Sequence, residues 1–179
     1  MRASAALVIA MLLFGSPVAA QDRTSSPYRQ QVESGLRGLD AREIADLKAG
    51  NGMGLARAAE LNSYPGPRHV LDAVSAGTLI ASQDQVERVE RVFDGMKRDA
   101  QRVGAEILDE EQRLETGFRT ATITEADLRS RVERIAALQG QLRAVHLAAH
   151  LATRAILSES QIARYNELRG YSPGHPHKH

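Results

Sequence analysis

The chain has 179 residues, a formal net charge of +1, no cysteine, no tryptophan and only 4% aromatic residues. Near-zero charge excludes a nucleic-acid binder, which relies on a basic excess. The lack of cysteine excludes a disulfide framework, thiolate metal ligation and cysteine catalysis. The composition is rich in Ala, Leu, Glu, Arg and Gln, residues that favour helices over a sheet-rich core, so an all-α fold is expected.

The first segment, 1–20, reads as a signal peptide. Arg2 supplies the positive end, Ala5 to Phe14 the apolar run, and Pro17-Val18-Ala19-Ala20 the small residues before a mature start at Gln21. The run is short against the ~20 residues of a membrane span, so a cleaved, exported protein of the bacterial periplasm is expected, an uncleaved anchor being the alternative. Residues 1–20 contain Arg2 and no acid, so their removal takes the net charge from +1 to zero. Residues 21–38 are polar, with Ser25-Ser26-Pro27, Gly35 and Gly38, and read as a flexible N-terminal arm ahead of a helical domain over 39–170.

In that domain Asp40 and Glu43 predict a capping box opening a short helix that ends at Gly50. A second short helix is expected over Leu55 to Leu61, closed by Asn62 to Pro67, and a third from Pro67 to about Ala76. A long helix follows from Ser82 to about Arg119, roughly 55 Å at 1.5 Å per residue. Its apolar seam runs Val86, Val89, Phe93, Met96, Ala100, Val103, Ile107 and on through Leu114 and Phe118. Thr122-Ile123-Thr124 breaks it. Thr124 with Asp127 caps a second long helix, whose matching seam is Leu128, Val132, Ile135, Leu142, Val145, Ala149, Ala152 and Ile156. Gly140 inside that helix permits close packing. Ser158 caps a last helix to about Leu168, with Gly170 at its end. A tight turn makes the long helices antiparallel. The expected fold is an all-α antiparallel hairpin with short N-terminal helices and a hooked C-terminal helix. A lone hairpin leaves apolar surface wet, so a homodimer is expected.

The chemistry centres on His146 and His150. Four residues apart on one helix, both imidazoles leave the same face one turn apart, a spacing that chelates one metal ion, as in H-E-x-x-H. Leu147 stands where that motif has its glutamate, so the metalloprotease base is missing. The alternative is a pair of partly buried histidines at the flank of the seam, satisfied by neighbouring acids. Further ligands are sought in His69, otherwise a packing or capping residue beside Pro67, and Glu60, otherwise a solvated helix-end carboxylate. An N/O donor set suits zinc, copper(II), nickel or cobalt. The tail 171–179 is disordered in composition, and its His175, His177 and His179 read as a second metal-capturing element, a solubilising end with no role being the alternative. Glu106, Asp109, Glu110, Glu111 and Arg113 read as a solvated helical face. No nucleophile elbow, phosphate loop or paired-carboxylate signature stands out, so neither an enzyme nor an organic cofactor is expected.

Two L-x-x-x-Q elements, Leu79 to Gln83 and Leu157 to Gln161, together with the export signal and the long helices, resemble the Spy/CpxP-like periplasmic proteins and their LTxxQ motif. Ile80 and Ser158 stand where that motif has threonine. The histidine pair is similar to the CnrX/ZraP-like heavy-metal sensor branch, where a helix carries a histidine followed four residues later by methionine. In that branch further histidines and a glutamate come from the N-terminal helical region, where His69 and Glu60 lie. The resemblance implies a periplasmic metal-binding stress protein that an inner-membrane regulatory partner reads. The alternative it implies is an ATP-independent chaperone holding unfolded clients on a basic, apolar inner face. A purely structural helical protein is the third reading.

Overall fold

A computed structural model of the chain describes residues 25–171. The signal-peptide reading of 1–20 and the three tail histidines lie outside the described residues. The chain divides at Ser34 into two units. The first carries, among its described residues, a single 3-10 turn over Arg29–Gln31.

The second unit, from Gly35, holds α1 (Ala41–Ala49), α2 (Arg57–Glu60), α3 (Pro67–Ser75), α4 (Gln83–Arg119), α5 (Glu125–Ile156) and α6 (Glu159–Leu168). The described residues contain no strand, and no described helix is long and apolar enough to cross a membrane. Leu36 is already buried and Arg37 pairs with Glu115, so the ordered body begins inside the stretch expected to be an arm.

Helix ends follow local chemistry. The Asp40 carboxylate accepts from the Glu43 N–H at 2.7 Å while Glu43 accepts from the Asp40 N–H at 2.8 Å, satisfying two otherwise orphaned donors. Gly50 closes α1 at a φ of 65°, in the left-handed region that glycine enters without steric cost. Thr124 caps α5 through the Asp127 N–H.

The long helices α4 and α5 pack along one another. Gln85 reaches the Ile156 carbonyl, Glu106 pairs with Arg134 and Glu110 with Arg131, so the partners run in opposite order along the two helices. Glu106 and Glu110 thus bridge to α5 instead of lying on a purely solvated face. Two apolar clusters form around this pair. Leu47 of α1 joins Ala100, Val103, Ile107, Leu138 and Leu142. Val70 of α3 joins Leu79, Val89, Leu157, Ile162 and Tyr165. At the first cluster Gly104 brings α4 against α1: a Cβ there would overlap the Leu47 carbonyl.

Several expectations are corrected. The L-x-x-x-Q pair is out of register at its first copy. Ser158 and Gln161 form a capping box on α6, and its counterpart is Ser82 with Gln85 on α4; Gln83 only bonds Glu87 along the helix. Gln85 and Gln161 also exchange hydrogen bonds at 2.9 Å, and Gln161 donates to the Ile80 carbonyl at 2.8 Å. The clasp therefore depends on a cap serine and a glutamine three residues on, wherever the preceding leucine falls. The seam of α5 is rotated: Val132 and Ala152 are exposed, while His146, His150 and Thr153 lie in the buried stripe. Phe118 is exposed, so the α4 seam ends at Leu114. A Cβ on Gly140 would meet nothing within 4 Å, so Gly140 makes no close approach within the described chain.

Candidate metal centre

Between the two apolar clusters, the inner face of α5 presents His146 and His150, 3% and 9% exposed. They stand inside the seam, not at its flank. The stretch from Gly52 to His69 wraps over them, and α6 closes the far side.

His150 is oriented by backbone. Its Nδ1 lies 2.7 Å from the Tyr64 carbonyl oxygen. A carbonyl only accepts, so Nδ1 donates and, in the neutral ring, Nε2 keeps its lone pair. Metal-ligating histidines characteristically donate their other N–H to such a carbonyl or a carboxylate, which fixes the ring and its tautomer. Gly66 keeps the ring edge free: a Cβ there would stand 3.1 Å from Cε1 and 3.3 Å from Nε2 of His150.

His146 is less satisfied. Its Nε2 is buried with no hydrogen-bond partner among the described residues, a situation that costs about 1–3 kcal/mol. Burial, and secondarily the neighbouring His150, hold its pKa below the ordinary histidine value. The neutral, ligand-competent ring is therefore favoured.

Glu60, at the end of α2, is a half-buried junction and not the solvated carboxylate of the alternative reading. Its Oε1 accepts from Tyr165 Oη at 2.6 Å, Arg169 Nε at 3.2 Å and Tyr171 Oη at 3.2 Å. Its Oε2 lies 3.7 Å from His150 Nδ1. Tyr165, 1% exposed, also accepts from the Gly66 N–H at 3.3 Å. Burial first, then the bond to Glu60, drive its pKa far upward, so it stays a donor. His69 stands more openly on α3. Partial burial, then the Arg169 charge, lower its pKa against the opposing pull of Glu60 and Asp72.

Two adjoining cavities meet at these groups. One of about 370 Å³ is lined by His69, His146 and His150 with Gly66, Met96 and Lys97. The other, about 520 Å³, shares the three histidines and adds Glu60, Arg169 and Tyr171. The short helices thus bring His69 and Glu60 to the histidine pair. As the side chains stand, no three or more His, Asp or Glu groups among the described residues are gathered closely enough to hold a metal ion. The donors nevertheless fit a divalent transition ion: one imidazole preoriented by a carbonyl, one with an unpaired buried nitrogen, a carboxylate beside them, and no thiolate.

Gly66, Tyr64, Tyr165, Arg169 and Tyr171 were not expected at the site. Tyr64-Pro65-Gly66-Pro67 carries signals only of a helix break, and nothing local in α6 points to Glu60, 105 positions from Tyr165. No protein-family model matches the chain, and no curated protein or solved structure matches it.

Proposed function

We propose that the protein is a non-enzymatic periplasmic metal-binding stress protein, of the Spy/CpxP-like kind and near the heavy-metal sensor branch that its sequence resembles. In this reading a zinc, copper(II), nickel or cobalt ion is held by His146 and His150, with Glu60 and His69 as the further donors. The observation that carries it is the contrast within the histidine pair: His150 is aimed by the Tyr64 carbonyl, while the buried Nε2 of His146 has no partner among the described residues. A bound divalent ion supplies a concentrated positive charge to which both nitrogen lone pairs and a carboxylate are attracted. The chain's own contribution is orientation. Tyr64 sets the His150 tautomer, Gly66 leaves its edge open, and Tyr165, Arg169 and Tyr171 hold Glu60 by one oxygen so that the other faces the histidines.

Signalling follows if two arrangements of the molecule bind the ion with different affinity, since a ligand shifts an equilibrium only by that difference. A homodimer is part of this reading. The outer face of α5 supports it, because Ala137, Gly140, Ala144, Ala148, Leu151 and Ala155 are exposed and uncharged. The same face supports the second reading, an ATP-independent chaperone, since Leu151 is 59% exposed there, as apolar client segments require.

The test is calorimetric titration of zinc, copper(II), nickel and cobalt into the mature protein with its three tail histidines replaced by alanine. The same titration is run with His146→Ala/His150→Ala added. Saturable binding of at least one ion that drops by 100-fold or more in the added variant is expected. Binding that survives unchanged in that variant, or no binding of any ion by the parent, overturns the metal reading.

A further inference from the structure

The two cavities that meet at the histidines differ in charge. The larger one holds Glu60, which Arg169 pairs with at 3.2 Å. The smaller one, about 370 Å³, has no acid among its described lining residues, yet Arg68 of α3 and Lys97 of α4 both stand on its wall. Arg68 is matched by Asp72 at 3.0 Å, one turn on along α3. Lys97, by contrast, is half-buried and forms no ion pair among the described residues. Asp94, on the preceding turn of α4, is exposed and does not pair with it. The Lys97 ammonium instead stands 5.9 Å from the centre of the Phe93 ring, and the Arg68 guanidinium stands 5.8 Å from the same ring.

A half-buried ammonium gives up hydration, and a ring face returns less of it than a carboxylate would. Lys97 is therefore a charge left for a ligand. The wall narrows the chemistry of that ligand. Two cations with no acid beside them repel a metal ion, so the ion of the proposed function belongs on the Glu60 side. The rest of the wall includes Phe93, Met96 and Pro67, apolar surface that an inorganic anion would leave unused. The volume lies at the small end of pockets that hold organic ligands, about 300–1,000 Å³, which are mostly apolar with a few placed polar groups.

We propose that the smaller cavity is a binding site for a small organic carboxylate, its charge met by Lys97 and its apolar body lying against Phe93, Met96 and Pro67. Arg68, already paired, adds to the positive field there. This site goes beyond the ion reading. His146 and His150 line both cavities, but the carboxylate needs neither of their lone pairs.

The experiment titrates benzoate into the full mature chain, stripped of metal on a chelating resin, and follows the amide shifts by NMR. Saturable shifts grouped around the cavity are expected, with Gly52, Gly66 and Phe93 among them. Benzamide, which has the shape without the charge, should bind about 10-fold or more weakly, and Lys97→Met should lose a similar factor for benzoate. Acetate, which keeps the charge without the ring, should also bind more weakly than benzoate. The benzamide and acetate comparisons use the unaltered chain, so they hold whatever Lys97→Met does to folding. Benzamide binding as tightly as benzoate, full affinity in Lys97→Met, acetate binding as tightly as benzoate, or unsaturating shifts scattered over the exposed arginines would each overturn the site. None of these results touches the ion reading, which the calorimetric titrations decide separately.

Discussion

At the scale of single residues, His146 combines two properties seldom found together: near-complete burial and a ring nitrogen without a partner among the described residues. Its lowered pKa links protonation to stability. In the unfolded chain the ring titrates near 6.5; in the folded protein it titrates lower. Above 6.5 both states are neutral and the full stability is present. As pH falls through 6.5 and then through the lowered folded value, the unfolded state takes up a proton that the folded state resists, and stability is lost. The loss is at most about 1.4 kcal/mol for each pH unit while the folded ring stays neutral. Thermal melts of metal-free protein from pH 7.5 down to 5 should show a falling midpoint, with a shallower fall in His146→Gln. His69 shifts in the same direction, so some slope remains. A slope unchanged in His146→Gln would show that the buried ring is not its source.

At the scale of elements, the features legible in advance were those fixed by neighbours in sequence. The capping groups at Asp40, Thr124 and Ser158 were readable because a cap needs only its own residue and the third one after it. The face of α5 was not readable. Alanine and leucine occur on both of its sides, so the apolar pattern does not single out an inner stripe, and packing against α2, α3 and α4 decides which side is buried. The same reason misplaced the histidine pair at the flank. The first glutamine motif was misread because letter spacing was matched in place of the serine-to-glutamine relation that caps a helix. Gly104 states a prediction at this scale. A methyl there would overlap the Leu47 carbonyl, and backbone cannot rotate away as a side chain does, so α1 must move. Gly104→Ala should cost about 1–3 kcal/mol, read as a lower urea midpoint with an unchanged slope. A midpoint equal to that of the parent would mean that α1 is loosely held.

At the scale of the whole molecule, a helix face of small and apolar residues without charge is better covered than left wet. One side of α5 has α4; the side bearing Ala144, Ala148 and Leu151 is open among the described residues. If a second copy covers it, Leu151→Arg should turn a dimer into a monomer in sedimentation velocity while leaving the helical circular dichroism unchanged. A parent already monomeric at tens of micromolar would sink the dimer. Glu60 and His69 were candidates by region alone, with no sequence signal to position them, whereas the role of α6 carried no signal at all, because its two contributions, Tyr165 and Arg169, meet Glu60 more than 100 positions away. That separation also fixes an order in time. A chain made from its N-terminus holds Glu60 and Gly66 long before it has Tyr165, and until the last helix exists nothing anchors the carboxylate or closes the cavity. The cavity therefore gains its last described wall only when α6 and Tyr171 have been made, and any copy cut short before Tyr171 lacks that wall: an intact pocket reports that synthesis has passed α6.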